Sequence, residues 1–285
     1  MTMDIFQKIC SLAATDRGGR SASLLLEPGH LSNALSLLET SRNPVIITGF
    51  FILACGAAET DGPGGASVLS RALLRSGRRA RLCSDPLCTG VLSACSASVG
   101  GPLVETVTSP EEILQEDTDL VVFIERLGRA SDGRYYNMRG EDVSAAAVPL
   151  DGAAILARKR GIPVLGIGDG GNEAGLGIFR EALSRLMPGY GRCLSVIEAD
   201  AAIPVDISDW GGYALAGLLS LPAGKWLGAE EEEVDAMLRA LVAAGAVDGV
   251  NRRRAPTVDG FPAEDHRRFI GLLKEEIMPL VRISG

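Results

Sequence analysis

Histidine is scarce in this chain: His30 and His266 are the only two among 285 residues, and neither lies in a glycine-rich or acidic stretch. Acid–base catalysis by histidine is therefore disfavoured, and we interpret both as surface or helix-capping residues. The six cysteines, at positions 10, 55, 83, 88, 95 and 193, include no Cys-x-x-Cys pair. This spacing indicates neither a zinc site nor a disulfide framework.

Positive charge and long apolar runs are also lacking. The net charge of −8 argues against nucleic acid or an anionic membrane as the main partner. No apolar run approaches the roughly 20 residues of a membrane span, and the segment 45–58 is interrupted by Gly49 and Gly56. The first residues show neither a signal-peptide nor a transit-peptide pattern. We therefore expect a cytoplasmic protein without a nucleic-acid or membrane partner, and the oligomeric state stays open, a homo-oligomer included.

Apolar β-branched segments alternate with amphipathic ones along the chain. Segments 44–50, 119–125 and 162–167 are typical of buried strands, segment 193–198 predicts another strand, and Ser208 or Asp209 is expected to cap a helix. This alternation predicts an α/β fold with a mostly parallel sheet and helices on both faces, a Rossmann-like three-layer arrangement. We expect a single domain over 1–285, with an N-terminal helical extension, 1–42, and a C-terminal helical segment, 229–285.

A glycine turn follows the strand predicted at 162–167. Residues 168–171 carry one side chain, Asp169; Asn172 is expected to cap a helix and Glu173 to lie in its first turn. A bare glycine turn at a helix N-terminus suits a phosphate. The two carboxylates would repel an anion unless a cation or a basic side chain lies between them.

Three acid-bearing loops leave strands at the same predicted edge. They carry Glu59 and Asp61, then Glu125 with an arginine-rich loop, and then Asp169 and Glu173. Because ligands bind beyond the carboxyl ends of parallel strands, we expect these loops to share a site. Two simpler readings stay open: a structural ion pair of Glu125 with Arg126, and Asp248 and Asp259 as plain turn residues. No nucleotide is expected, because no Gly-x-Gly-x-x-Gly follows the first strand.

Four motifs together resemble the signatures of the D-glutamate cyclase-like C-terminal domain family, once known only as a domain of unknown function. They are Glu-Thr-Asp-Gly-Pro-Gly-Gly-Ala at 59–66, Glu-Arg-Leu-Gly-Arg-Ala-Ser-Asp-Gly-Arg-Tyr-Tyr-Asn-Met-Arg-Gly at 125–140, Gly-Ile-Gly-Asp-Gly-Gly-Asn-Glu at 166–173 and Asp-Trp-Gly-Gly-Tyr-Ala-Leu at 209–215. The resemblance runs from about 44 to 260. It implies an enzyme, a lyase that cyclises D-glutamate or a related acidic amino acid to 5-oxo-D-proline with loss of water.

That reaction needs a base, an activated γ-carboxyl group and a cationic clamp for the α-carboxylate. We expect the catalytic carboxylates to be Asp169, Glu125 and Glu173. A divalent cation, Mg²⁺ or Mn²⁺, would be held by a subset of Glu59, Asp61, Glu125, Asp169 and Glu173. The substrate-binding candidates are Arg126, Arg129 and Arg139, of which Arg129 and Arg139 are favoured as the clamp, together with Asn137, Asn172, Gly170 and Gly171.

Two other classes of function fit the same residues. A non-catalytic sensor of an amino acid or nucleotide could use the glycine loops to hold an anion. A metal-dependent hydrolase or phosphatase would also need clustered acids.

Overall fold

The computed structural model describes residues 2–281; Met1 and residues 282–285, the ends of the predicted domain, lie outside the described part. Helices α1 to α11 span Thr2–Ala13, Pro28–Thr40, Pro63–Arg75, Thr89–Ser98, Pro110–Ile113, Gly152–Arg160, Arg180–Leu186, Ser208–Leu218, Ser220–Ala223, Glu231–Ala243 and Ala263–Ile277. Strands β1 to β10 span Pro44–Thr48, Phe51–Ile52, Ala57–Ala58, Arg81–Ser84, Val104–Thr106, Leu120–Ile124, Val164–Gly168, Ala201–Pro204, Thr257–Val258 and Phe261–Pro262. Within residues 2–281, no helix has the length and apolar character needed to cross a membrane.

The main sheet has six strands in the order β5-β4-β1-β6-β7-β8, and every neighbouring pair is parallel. The chain adds β4 and β5 on one side of β1 and then crosses to the other side for β6, β7 and β8. The strand order therefore reverses between β1 and β6, and ligands bind at such a switch point in open α/β sheets.

Side chains of the central strands alternate between two apolar cores. Ile46 and Val122 join a core with residues of α1, α2, α3, α8, α10 and α11, whereas Val45 and Phe123 face the core that contains α6. All five residues of β1 and of β6 are buried. Burial on both faces explains why these strands read as continuous apolar runs, and the predicted three-layer α/β fold is confirmed.

Two local predictions near the glycine turn are wrong. Segment 193–198 is not a strand of the sheet; it crosses the turn, where Ser195 N–H donates to the Gly171 carbonyl at 2.9 Å. The sixth strand is β8, whose residues are mostly small and have weak strand propensity. Asn172 does not cap a helix, since its side-chain amide donates to the Tyr136 carbonyl at 2.9 Å and α7 begins only at Arg180.

The two histidines have structural contacts. His30 forms a capping box with Glu27 at the start of α2, as predicted, and its Nδ1 accepts from Glu27 N–H at 3.0 Å. The surface or capping role predicted for His266 is wrong, because this side chain is buried and its Nδ1 accepts from Trp210 Nε1 at 3.0 Å.

Three segments outside the sheet reach its carboxyl edge. Strands β2 and β3 form a hairpin directly after β1, and β9 and β10 form a second hairpin near the C-terminus. The third segment, residues 14–21, follows α1, and we call it the strap. Asp206, just beyond β8, fixes the strap by accepting from Thr15 N–H at 2.9 Å and Asp16 N–H at 2.8 Å.

Candidate active site

Three buried carboxylates meet at the carboxyl edge of the sheet. Asp61 lies between β3 and α3, Glu125 directly follows β6, and Asp169 directly follows β7. One oxygen of each lies within 4.8 Å of the other two, and the three residues are at most 5% exposed. The structure thus brings together acids from all three loops that were expected to share a site, and we call this group the acid triad.

Glu125 is held in an unusual backbone conformation. Its φ of 43° lies in the left-handed region, which costs free energy for a residue with a side chain. Ser208 Oγ donates to its carboxylate. Gly62 packs so closely that a Cβ there would lie 2.7 Å from Glu125 Cβ, so only glycine fits. Strain of this kind is concentrated at functional sites, which makes Glu125 a stronger candidate than its sequence position alone.

Asp61 already has hydrogen-bond donors for both of its oxygens. Oδ1 accepts from the N–H groups of Gly62 and Asp209, both at 2.9 Å, and Oδ2 accepts from Ser208 N–H at 3.0 Å. The last two donors belong to the first turn of α8, where a carboxylate is favoured by the helix dipole. Asp61 therefore ties α8 to the acid triad, besides offering an oxygen to it.

Three carboxylate oxygens at this edge are buried without a hydrogen bond within residues 2–281: Asp169 Oδ2, Glu59 Oε1 and Asp259 Oδ2. Only the last of these is in an ion pair within that range, with Arg20. Glu59 is 6% exposed, and within the described part of the chain its carboxylate makes neither a hydrogen bond nor an ion pair. Buried polar atoms in proteins are almost always satisfied. The unpaired oxygens of Asp169, in the acid triad, and of Glu59 therefore point to a ligand or a proton-transfer role.

The electrostatics of the site agree with this reading. Desolvation, followed by the charges of Asp259 and Asp61, raises the pKa of Glu59 well above its ordinary value. Desolvation is also the largest cause that raises the pKa of Asp61 and of Glu125. For Asp169, desolvation raises the pKa and nearby Arg20 opposes the rise. The ionised forms of these neighbouring carboxyl groups are therefore disfavoured, and a bound cation would stabilise them.

Arg20 and Asp259 also belong to the site, although sequence reasoning missed both as functional residues. Arg20 comes from the strap and forms ion pairs with Asp169 and, at 2.6 Å, with Asp259. Asp259 lies in the turn between β9 and β10 with a φ of 55°, followed by Gly260 with a φ of 82°. The Asp-Gly turn was predicted, but its carboxylate also faces the site. The sequence predicted a cation or a basic side chain between Asp169 and Glu173 if an anion is to bind; Arg20 is a basic side chain at this turn, but it lies between Asp169 and Asp259.

A pocket of about 440 Å³ opens above these residues. Its acidic side includes Glu59, Glu125, Asp169 and Asp259, and Arg20 lies beside them. Its other walls come from the β2–β3 hairpin, the loop after β6, the turn after β7 and the segment before β9. They include Phe50, Phe51, Ile52, Asn137, Met138, Arg139, Asn172, Val250 and Arg252. This volume lies in the range of small-molecule sites.

Glu173 has a structural position inside the glycine turn. Its carboxylate accepts three N–H groups, from Asp169 at 3.1 Å, Gly170 at 2.8 Å and Gly171 at 2.6 Å. It does not line the pocket. These bonds hold the turn that presents Asp169, and they also engage the backbone donors of Gly170 and Gly171 that were expected to face a substrate.

The three candidate clamp arginines differ in position. Arg126 is buried and paired with Asp85, with further donation to the Gly49 and Val148 carbonyls. Arg129 pairs with Asp151, its Nε lying 2.8 Å from Oδ2. Neither lines the pocket, whereas Arg139 does. The structure therefore favours Arg139 over the other two as a residue that can touch a ligand.

A pocket lined by acids, one of them on a strained backbone, at the switch point of a parallel sheet is typical of small-molecule sites in α/β proteins. Residues 9–274 match the family model described as D-glutamate cyclase-like, C-terminal, and the chain belongs to this family. It is similar to the human protein D-glutamate cyclase, mitochondrial, with 33% identity over 232 residues. That match covers 72% of this chain and 37% of the relative. The name of the relative gives a mitochondrial location, and the cytoplasmic location expected for this chain stays a prediction.

Proposed function

We propose that this protein is a lyase that closes the ring of D-glutamate, or of a related acidic amino acid, to give 5-oxo-D-proline and water. Family membership and the human relative support the reaction class. The observation that carries the proposal is the pair of unpaired carboxylate oxygens, on Glu59 and on Asp169 of the acid triad, both of which line the pocket.

The acid triad suits a hard divalent cation, and Mg²⁺ or Mn²⁺ is proposed. Asp61, Glu125 and Asp169 would hold such an ion through one carboxylate oxygen each, the ligand type that hard divalent cations prefer. The triad oxygens, within 4.8 Å of one another, need only a small inward movement. Asp169 Oδ2 is the free ligand atom. A bound cation would supply Lewis-acid polarisation of the γ-carboxyl group.

Glu59 is the proposed proton carrier. The α-ammonium group must give up two protons while its nitrogen bonds to the carboxyl carbon of the γ-carboxyl group. One C–O bond of that group breaks, and its oxygen leaves with the two protons as water. A carboxyl group can perform both transfers if it faces the substrate and has no competing partner. Glu59 lines the pocket and has neither a hydrogen bond nor an ion pair within residues 2–281.

Incubation with D- or L-glutamate in the presence of Mg²⁺ or Mn²⁺ tests the proposal, with 5-oxoproline followed by chiral chromatography. We expect 5-oxo-D-proline from D-glutamate at a rate above that of the protein-free control. Product formation unchanged from that control, with both metals and both enantiomers, would contradict the proposed activity. Binding without turnover would favour the amino-acid sensor instead.

A further inference from the structure

We infer that Arg20 of the strap binds the substrate carboxylate that does not react, the α-carboxylate, and so orients the γ-carboxyl group toward the acid triad. The inference rests on the proposed function and adds a residue from outside the four sequence motifs. Arg20 lines the pocket, its side chain is 22% exposed, and it is the arginine that contacts Asp169.

The guanidinium group of Arg20 has donors to spare. An arginine side chain carries five N–H donors. Nη1 is paired with Asp169 and Nη2 with Asp259, and no hydrogen bond of Arg20 to another group occurs within residues 2–281. The remaining donors can form a two-point contact with a carboxylate. By contrast, the other pocket arginine considered above, Arg139, donates Nη1 and Nη2 to the carbonyls of Gly249 and Val250.

Asp169 contacts Arg20 and is also a member of the acid triad, so it fixes how far Arg20 lies from the other two acids. Arg20 is paired with Oδ1 of this carboxylate, whereas Oδ2 is the orphaned oxygen. With Mg²⁺ or Mn²⁺ bound at the acid triad, the Asp169 carboxylate would therefore lie between that cation and the Arg20 guanidinium group. Glutamate carries two carboxylates joined by three carbons, so one can face Arg20 while the other faces the triad. This arrangement selects a dicarboxylic amino acid over a monocarboxylic one.

The backbone that carries Arg20 is held before the substrate arrives. Asp206 accepts two N–H groups at the start of the strap, and Asp16 Oδ1 accepts from Ser21 N–H at 2.8 Å at its end. Arg17 anchors the middle by pairing with Asp265 at 2.9 Å. A binding group on a fixed backbone loses less entropy when the ligand binds.

Two unreactive ligands separate the role of Arg20 from a general effect on the pocket. Glutarate keeps both carboxylates of glutamate but lacks the amine, and butanoate keeps only one carboxylate. We would titrate each into protein with millimolar Mg²⁺ or Mn²⁺ and measure Kd, together with kcat/KM for D-glutamate. Arg20→Gln should weaken glutarate binding about 10²-fold, the scale for losing one partner of a buried charge pair, and leave butanoate within about threefold. Arg20→Lys, which keeps the charge and loses the fork, should fall between.

Arg185→Gln is the matched control, since this arginine lies on α7 with an exposed side chain and its ion pair among residues 2–281 is with Glu181, four positions earlier. It should change neither Kd. Melting temperatures identify any variant that fails to fold. If Arg20→Gln does not fold, Arg20→Lys takes its place in the comparison, because it keeps a cation beside Asp169 and Asp259. Equal weakening of both ligands, or none, would overturn the assignment of Arg20 while wild-type turnover still supports the lyase. Wild-type protein that neither binds glutarate nor cyclises D-glutamate would overturn the proposed function and this inference together.

Discussion

The Asp169→Asn substitution removes one charge from the acid triad and almost nothing else. Asparagine has the shape of aspartate and is equally competent in a turn. The glycine turn itself is held by Glu173 through backbone donors, which the substitution leaves in place. Asp169 loses its ion pair with Arg20, but Arg20 keeps Asp259. Any large effect must therefore come from the missing carboxylate.

The sign of the stability change follows from the pKa of Asp169. Burial, the largest cause, raises this pKa above its ordinary value, and Arg20 only partly opposes the rise. A raised folded-state pKa means that the carboxylate contributes stability at low pH and loses it as the pH rises through that pKa. At about pH 8, metal-free Asp169→Asn should therefore melt at or above the temperature of metal-free wild type.

The expected losses are in turnover and in metal affinity. A missing proton-transfer group or metal ligand should lower kcat by about 10²-fold or more, which is about 2.7 kcal/mol of transition-state stabilisation. Loss of even an outer-shell contact costs about 10- to 100-fold in metal affinity, so loss of a ligand should cost at least that much. Chiral chromatography of 5-oxoproline gives kcat, and calorimetric titration gives the metal Kd.

Asp85→Asn provides the matched control. Asp85 is also a buried aspartate paired with an arginine, Arg126, but it does not line the pocket. Its substitution should lower the melting temperature because it leaves Arg126 without its carboxylate, and should leave the metal Kd near the wild-type value. A folded Asp169→Asn protein with wild-type turnover and wild-type metal affinity would refute the role of the acid triad.

Three further predictions address the rest of the site. The melting temperature of metal-free wild type should fall between about pH 5 and pH 8, because burial raises the pKa of Asp209 to about 7 and stability is lost as the pH rises through that value. Added Mg²⁺ or Mn²⁺ should reverse the fall, and a flat profile with no response to metal would contradict the cation site. Glu59→Gln should lower kcat by about 10²- to 10⁴-fold in single-turnover kinetics and leave the metal Kd, measured by titration, within about threefold of the wild-type value. An unchanged kcat would show that Glu59 takes no part in proton transfer. Arg139 lines the pocket but donates to two backbone carbonyls, so Arg139→Lys should raise KM for D-glutamate less than Arg20→Lys does. Arg129→Lys should leave the kinetics unchanged and lower the melting temperature; a larger KM effect in Arg129→Lys than in Arg139→Lys would show that Arg129 is the one that contacts the substrate.

The convergence of acids could be predicted from the sequence because it depends on topology alone. Glu125 and Asp169 each follow a strong apolar strand, and parallel strands bring their carboxyl ends to one edge. Asp61 is separated from β1 by a hairpin that short, weakly patterned segments did not reveal, yet the hairpin returns the chain to the same edge. Local strand errors, such as the one at 193–198, did not disturb this result.

Tertiary contacts over long sequence distances could not be predicted in the same way. Arg20 and Asp259 meet across more than two hundred residues, and each lies in a segment that reads locally as polar loop or plain turn. Glu173 looked like a ligand because its type and position matched, but its three backbone bonds depend on the exact path of the glycine turn. Arg126 and Arg129 are engaged by Asp85 and Asp151, which the arginine loop alone does not reveal.

The charge of the site helps to choose among the functions left open by the sequence. The pocket is lined by six acidic residues, Glu59, Glu125, Glu141, Asp142, Asp169 and Asp259, and by three arginines, Arg20, Arg139 and Arg252. A phosphate ester carries nearly two negative charges and no ammonium group, so it offers no positive charge to the carboxylates of the pocket. An acidic amino acid carries one net negative charge and an ammonium group that the carboxylates attract. Its two carboxylates can then occupy the two cationic positions, which makes an amino-acid lyase a better match to this field than a phosphatase or a nucleotide sensor.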